Sequence, residues 1–214
     1  MVVSRFSNSS IKTYEQCPYK FKLTRIEGLT EPTGEPAERG KAIHLSFEKA
    51  IKNQEPLPQE FEHWNTYIDK LKSLNTRAEE EFAITKDWQV CKFDDPNAWL
   101  RGVIDAIYTV DDSIHILDWK TGKERDYADQ VNLYAGILFA MYPEIKKIST
   151  EICYIDLKKQ INYGYVYREK AEELKQWICD RVTKIENDDI FAPNPTYGCR
   201  WCHFRKSNGG PCQW

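Results

Sequence analysis

Asp105, Asp118 and Lys120 have the types and spacing to work on a phosphodiester bond. They lie in Leu100 to Lys123, LRGVIDAIYTVDDSIHILDWKTGK, which reads as a β-hairpin: two apolar runs around a polar turn. With Asp111-Asp112 as a two-residue loop, residues whose numbers sum to 223 face each other. Asp105 then stands across from Asp118, with Cβ atoms roughly 5 Å apart. Lys120, two residues beyond Asp118, shares its face. Carboxylates this close repel unless one is protonated or a cation lies between them. A Mg²⁺ or Mn²⁺ held there would lower the pKa of bound water and neutralise a phosphate, and a lysine beside it can stabilise developing charge. A plain surface ion pair fits less well, because both aspartates sit in apolar segments, GVIDAI and HILDWKTG, where an unpaired charge is costly.

Cysteines form the second constellation. Cys199 and Cys202 make a C-x2-C pair, Cys212 follows ten residues later, and Cys17 stands near the other end of the chain. Four thiolates suit zinc or an iron–sulfur cluster equally, and spacing does not choose between them. Cys17 as fourth ligand would clasp the two ends of the chain; His203 is an alternative for zinc, poorly placed beside Cys202. Ordinary buried thiols are the plain alternative. Cys179 lies on a helical stripe and reads as core.

The elements that must position these residues follow from periodicity. Ser7 to Ser10 offers caps for a helix over 11–26, with Pro18 ending or kinking a first short piece and leaving Cys17 at a break. Lys20, Lys22 and Arg25 follow as a local basic patch. A second helix covers 36–52 with Pro36 in its first turn, carrying Arg39, Gly40, His44 and Glu48; His44 and Glu48 share a face. Helical spacing recurs over 60–74, strand character over 78–90 including Glu81, and a helix over 126–141 places Gln130 and Tyr134 on one side. Strands at 148–156 and 161–167 and a helix over 169–187 complete the pattern. Three successive antiparallel strands are expected up to Lys120.

At 214 residues, 41% hydrophobic and 13% aromatic, the chain can bury a core, which excludes global disorder. Its net charge of −3 gives no general attraction to nucleic acid, so such binding must be local. No run of 18 apolar residues occurs, and Met1-Val2-Val3-Ser4-Arg5 is too short and too soon polar for a signal peptide. An intracellular protein is expected, where seven cysteines argue for ligation more than for disulfides.

On these residues the chain resembles the RecB-like nucleases of the PD-(D/E)XK superfamily, in the branch with a four-cysteine iron–sulfur cluster. That branch includes CRISPR-associated spacer-processing nucleases and phage exonucleases. Ser9-x-Ile11-x-x-Tyr14-x-x-Cys17-Pro18-Tyr19-Lys20-Phe21 is similar to its first cluster-ligand segment. Gly40-x-x-x-His44, Gly102-x-Ile104-Asp105, Asp118-Trp119-Lys120-Thr121-Gly122 and Gln130-x-x-x-Tyr134 are similar to its G-x-x-x-H, G-x-I-D, D-x-K-T-G and Q-x-x-x-Y motifs. Two features depart from the common pattern: the second acid is Asp118, an allowed variant, and the Cys202-to-Cys212 spacing is long, which keeps zinc open.

The resemblance implies an α/β fold with a restriction-endonuclease-like core: a mixed central β-sheet flanked by helices. It implies one nuclease domain, with 36–187 as catalytic core and 1–35 plus 188–214 as a cysteine-clasped subdomain. His44, Asp105, Asp118 and the Trp119 carbonyl would hold Mg²⁺ or Mn²⁺, Lys120 would assist the attacking water, and Gln130 and Tyr134 would position lysine and DNA. Cys17, Cys199, Cys202 and Cys212 would hold a 4Fe-4S cluster, with Zn²⁺ as alternative. Glu81, with Glu79 and Glu80 as neighbouring candidates, would be the strand glutamate; Arg39 and Glu48 would support the site. Tyr14, Lys20, Lys22 and Arg25 would touch DNA. The expected activity is metal-dependent cleavage of DNA at ends or in single strands, with a catalytically idle DNA-binding or assembly module as the alternative. A zinc-stapled structural protein would leave the hairpin acids unexplained. The expected partners are DNA, recombination or replication proteins and a second copy of the chain, with no membrane.

Overall fold

The structure, a computed structural model, describes residues 5–214; Met1 to Ser4, read above as no leader, lie outside the described residues. Ser7 caps helix α1 (Asn8–Gln16) reciprocally. Its Oγ accepts the Ser10 N–H at 3.3 Å, and the Ser10 Oγ accepts the Ser7 N–H at 2.8 Å. Pro18 opens α2 (Pro18–Phe21), so Cys17 between the two helices is extended, with φ −162°. The break expected at Pro18 is there. A π-helical turn continues over Lys22–Ile26.

Helix α3 (Glu35–Lys52) carries Pro36 in its first turn and buries Ile43, Phe47, Ala50 and Ile51. The single helix expected over 60–74 is divided: a 3₁₀ stretch, Gln59–Trp64, runs into α4 (Asn65–Ser73). Phe61 and Trp64 are three apart, so the tighter coil turns both toward the core.

The sheet has five strands in sequence order: β1 (Arg77–Ile84), β2 (Leu100–Val110), β3 (Ser113–Lys120), β4 (Lys147–Tyr154) and β5 (Lys159–Tyr167). β1, β2 and β3 are antiparallel, β3 and β4 are parallel, and β5 returns antiparallel. The crossover from β3 to β4 is α5 (Ala128–Met141), and α6 (Ala171–Glu186) follows β5. β1 stops sooner than the expected 78–90, because the chain turns through Thr85–Gln89 with Trp88 left-handed (φ 61°) and packed on Trp99.

The hairpin register is the expected one. Val110 opposes Ser113, Tyr108 opposes His115 and Ala106 opposes Leu117. Ile114 and Ile116 enter a core with α5 and α6, whereas Leu117 and Trp119 enter a second core with α3 and α4. Buried on both faces, β3 reads almost continuously apolar, as a central strand flanked by helices should. Its one buried charge is Asp118. No helix among the described residues is long and apolar enough to cross a membrane.

Candidate active site

Strand pairing between β2 and β3 ends at Ala106 and Leu117. Beyond it the Trp119 N–H donates to Asp105 Oδ2 at 2.7 Å, so a side chain takes the place of a ladder carbonyl and the strands open. In that opening Asp105 and Asp118 are 9% and 4% exposed. The Trp119 indole anchors the floor, 4.8 Å from the Phe47 ring.

His44 comes in from α3, its Nδ1 3.3 Å from Asp105 Oδ1. Burial disfavours the imidazolium, but the hydrogen bond and charge of Asp105 outweigh this, and the His44 pKa is raised. Glu79 arrives from β1. Its register falls between Ala78↔Ala106 and Glu80↔Ile104, level with Asp105, and its backbone is left-handed (φ 49°). Ligand atoms of His44, Glu79 and Asp105 all lie within 4.8 Å of one another. Burial and the Asp105 charge raise the Glu79 pKa.

The β1 glutamate that reaches His44 and Asp105 is Glu79 and not the expected Glu81. Glu81 lies two residues farther along β1, opposite Val103 and exposed. Glu48 is turned to Lys52, 2.9 Å away, at the edge of the site.

Asp118 lies beside this trio. Its Oδ1 accepts from Gln130 Nε2 at 2.8 Å, and Gln130 also donates to the Tyr134 hydroxyl at 3.3 Å. Tyr134 in turn donates to the Val103 carbonyl at 3.2 Å. Asp118 Oδ2 is paired with the Lys120 ammonium, and a carboxylate oxygen keeps a second lone pair beside such a contact. That spare lone pair, beside the converging ligand atoms of His44, Glu79 and Asp105, suits a hard divalent cation. Burial and the Asp105 charge push the Asp118 pKa up to about 6, against the pull of Lys120 and Gln130. Burial works against the Lys120 charge, yet Asp118 and Asp105 raise its pKa, so it stays a cation. The Tyr127 ring covers it, 5.0 Å from Nζ to the centroid, a contact unmarked by any motif spacing.

Arg39 grips Asp156 with two hydrogen bonds, 2.9 and 2.6 Å, and Asp156 also accepts the Gly122 N–H at 3.2 Å. This ties the start of α3 to the turn after Lys120. Tyr14 has structural partners: its hydroxyl donates to Asp188 at 2.8 Å, and burial with that bond pushes its pKa up to about 12. Lys20 and Lys22 are paired with Glu31 and Glu27, and Arg25 is exposed.

Cys17, Cys199, Cys202 and Cys212 line one cavity of about 300 Å³. Backbone N–H groups of Asn194 and Thr196 point at the sulfurs of Cys17 and Cys199, 3.4 and 3.3 Å away. No three of these sulfurs converge within 4.8 Å among the described residues. A tetrahedral zinc would need all four about 3.8 Å apart.

A mixed sheet opened at its centre gathers acids, a histidine and a lysine in one cleft, a set of groups suited to work on a phosphodiester. The PD-(D/E)XK nuclease superfamily model matches residues 5–207, and the chain belongs to that superfamily. No curated protein matches it. Among solved structures, a protein from Eubacterium rectale named "putative exonuclease" superposes with a TM-score of 0.58 at 12% identity, covering 96% of this chain and 87% of its own. A second, named SSO0001, covers 99% of this chain and 88% of its own at 15% identity, with a TM-score of 0.44. The chain is a nuclease by family, and its mixed sheet is the restriction-endonuclease-like fold.

Proposed function

We propose that the chain is a divalent-metal-dependent deoxyribonuclease acting on free ends or single strands of DNA. The convergence of His44, Glu79 and Asp105 beside the Asp118–Lys120 pair carries this reading. Bound Mg²⁺ or Mn²⁺ would supply charge neutralisation at the phosphate and a more acidic water. His44, Glu79, Asp105 and Asp118 would hold it. Asp105, fixed by the Trp119 N–H, and Asp118, fixed by Gln130, keep their carboxylates in place without reorganisation. Lys120, held charged by the two aspartates, stabilises negative charge developing on the phosphate oxygens. The name of the Eubacterium rectale neighbour agrees with action at ends.

For the cysteine cavity we infer a 4Fe-4S cluster over zinc, because a cluster places its own iron and sulfide between thiolates and keeps them farther apart than one ion does. Held on Cys17 and the tail, it would join 1–35 with 188–214 around the 36–187 core. Anaerobic purification with iron, sulfide, zinc and visible-absorbance measurements tests the occupant.

End-labelled single- and double-stranded DNA, incubated with Mg²⁺ or Mn²⁺, tests the activity. Cleavage is expected to stop with chelator and to fall at least a thousandfold in Asp118→Ala and Lys120→Ala. Full cleavage by either variant would overturn the assignment.

A further inference from the structure

We propose that the tail, from Tyr197 to Trp214, carries a stacking platform for single-stranded DNA, a second contact surface apart from the metal centre. This rests on the reading of the chain as DNA-cleaving. Between Ile190 and Trp214 there is no acidic side chain, against Arg200, Arg205 and Lys206, in a chain whose net charge is −3. None of these three cations joins an ion pair among the described residues, although fifteen such pairs occur elsewhere.

Large aromatics there face solvent: Tyr197 is 75% exposed, Trp201 68% and Trp214 57%. The Arg200 guanidinium lies over both Tyr197 and Trp201, 4.3 and 4.6 Å from the ring centroids. The stack holds the arginine flat and leaves its N–H edge free for phosphate. Tyr197, Arg200, Arg205 and Trp214 line one open cleft of about 350 Å³, with no acidic side chain in its wall. A base can stack on the rings while its phosphate meets the guanidinium groups, and any base serves because each has a π-face. Duplex DNA hides those faces, so single strands are the occupant.

Helix α1 leads from the metal centre to the tail. Its Lys12 sits 5.8 Å from the Tyr127 ring that covers Lys120, and at its far end Asn194 bonds to Gln16 O and Cys17 Sγ.

Binding of a fluorescein-labelled 25-nucleotide single strand by the full chain, measured in chelator with its cysteine site as purified, tests the platform. Tyr197→Ala with Trp201→Ala is expected to weaken binding roughly tenfold or more, and the Phe versions of both to restore it. Arg200→Gln with Arg205→Gln is expected to flatten the dependence of log affinity on log salt by about 1.4, two single-strand phosphate contacts. Turnover of bis(p-nitrophenyl) phosphate, too short to reach the tail, should change less than twofold in all of them. Wild-type affinity in both double variants, or no single-strand binding by the wild type, overturns the platform. A wild type that binds but never cleaves would refute the nuclease reading and leave the platform standing.

Discussion

Asp105 is held by the backbone of Trp119: its Oδ2 accepts the Trp119 N–H at 2.7 Å where a β-ladder carbonyl would otherwise stand. One carboxylate therefore ends the ladder, opens the cleft and faces His44 with its other oxygen. Asparagine can keep the first contact through its amide oxygen while removing the charge. Asp105→Asn is expected to stay within about 1 kcal/mol of wild-type stability without metal. Its Mn²⁺ affinity should fall at least tenfold. Thermal melting in chelator and calorimetric Mn²⁺ titration separate the two. A loss of stability without loss of affinity would make Asp105 a structural residue only.

Glu79 is a second test of ligation. A non-glycine residue with φ 49° in a strand carries strain of roughly 1–2 kcal/mol. Glycine relieves that strain but adds chain entropy of about 0.5–1 kcal/mol. Glu79→Gly should therefore melt close to wild type or above it, yet bind Mn²⁺ more weakly, as should Glu79→Gln. Unchanged Mn²⁺ affinity in both variants would remove Glu79 from the ligand set.

The Asp118 carboxyl costs the metal-free protein stability. Its folded pKa of about 6 exceeds the ordinary 3.8, so the folded state binds its proton more tightly than the unfolded chain does. Stability from this group rises as pH falls through 6 and levels off below 4. The raised His44 pKa acts in the same direction. Two pKa units correspond to about 3 kcal/mol at neutral pH. That figure already includes the Lys120 pair; the amide of Asp118→Asn matches a neutral carboxyl only in part, so a net gain of about 1–2 kcal/mol is expected, roughly 2–8 °C in Tm. Melting in chelator at pH 5 and pH 7 checks it: the wild type should gain on acidification and the variant should gain less. Equal pH slopes would refute the assignment.

Much of this site could be read from spacing because hairpins obey simple arithmetic. Asp111-Asp112 as a two-residue turn sets every cross-strand partner down to Ala106 and Leu117. Pro18 likewise marks the break at Cys17 by fixing its own φ and restricting its neighbour. Glu79 was not distinguishable from Glu81, since residues two apart on a strand share a face and only the register with β2 decides between them. Tyr127 over Lys120 depends on how α5 docks after the Gly122 turn, a tertiary matter no local period encodes. The bond from the Tyr14 hydroxyl to Asp188 joins residues 174 apart, which no local period encodes.

Gly102 in the G-x-I-D segment has a role visible only in three dimensions. A Cβ there would lie 2.5 Å from Phe82 Cζ. The Phe82 ring packs edge-on against Tyr134, centroids 5.6 Å apart, and Tyr134 meets Gln130, which holds Asp118. Gly102→Ala must push Phe82 into that relay, at about 1–3 kcal/mol of overpacking. Turnover on DNA is expected to fall about tenfold, because Asp118 loses its fixed orientation while His44, Glu79 and Asp105 keep theirs. Mn²⁺ affinity should fall less than in Asp105→Asn, since three of the four ligands stay in place. Adding Phe82→Leu makes room for the new methyl group and should recover most of the lost turnover. A Gly102→Ala enzyme with wild-type kcat, or a double variant no better than the single, would show that this relay does not position Asp118.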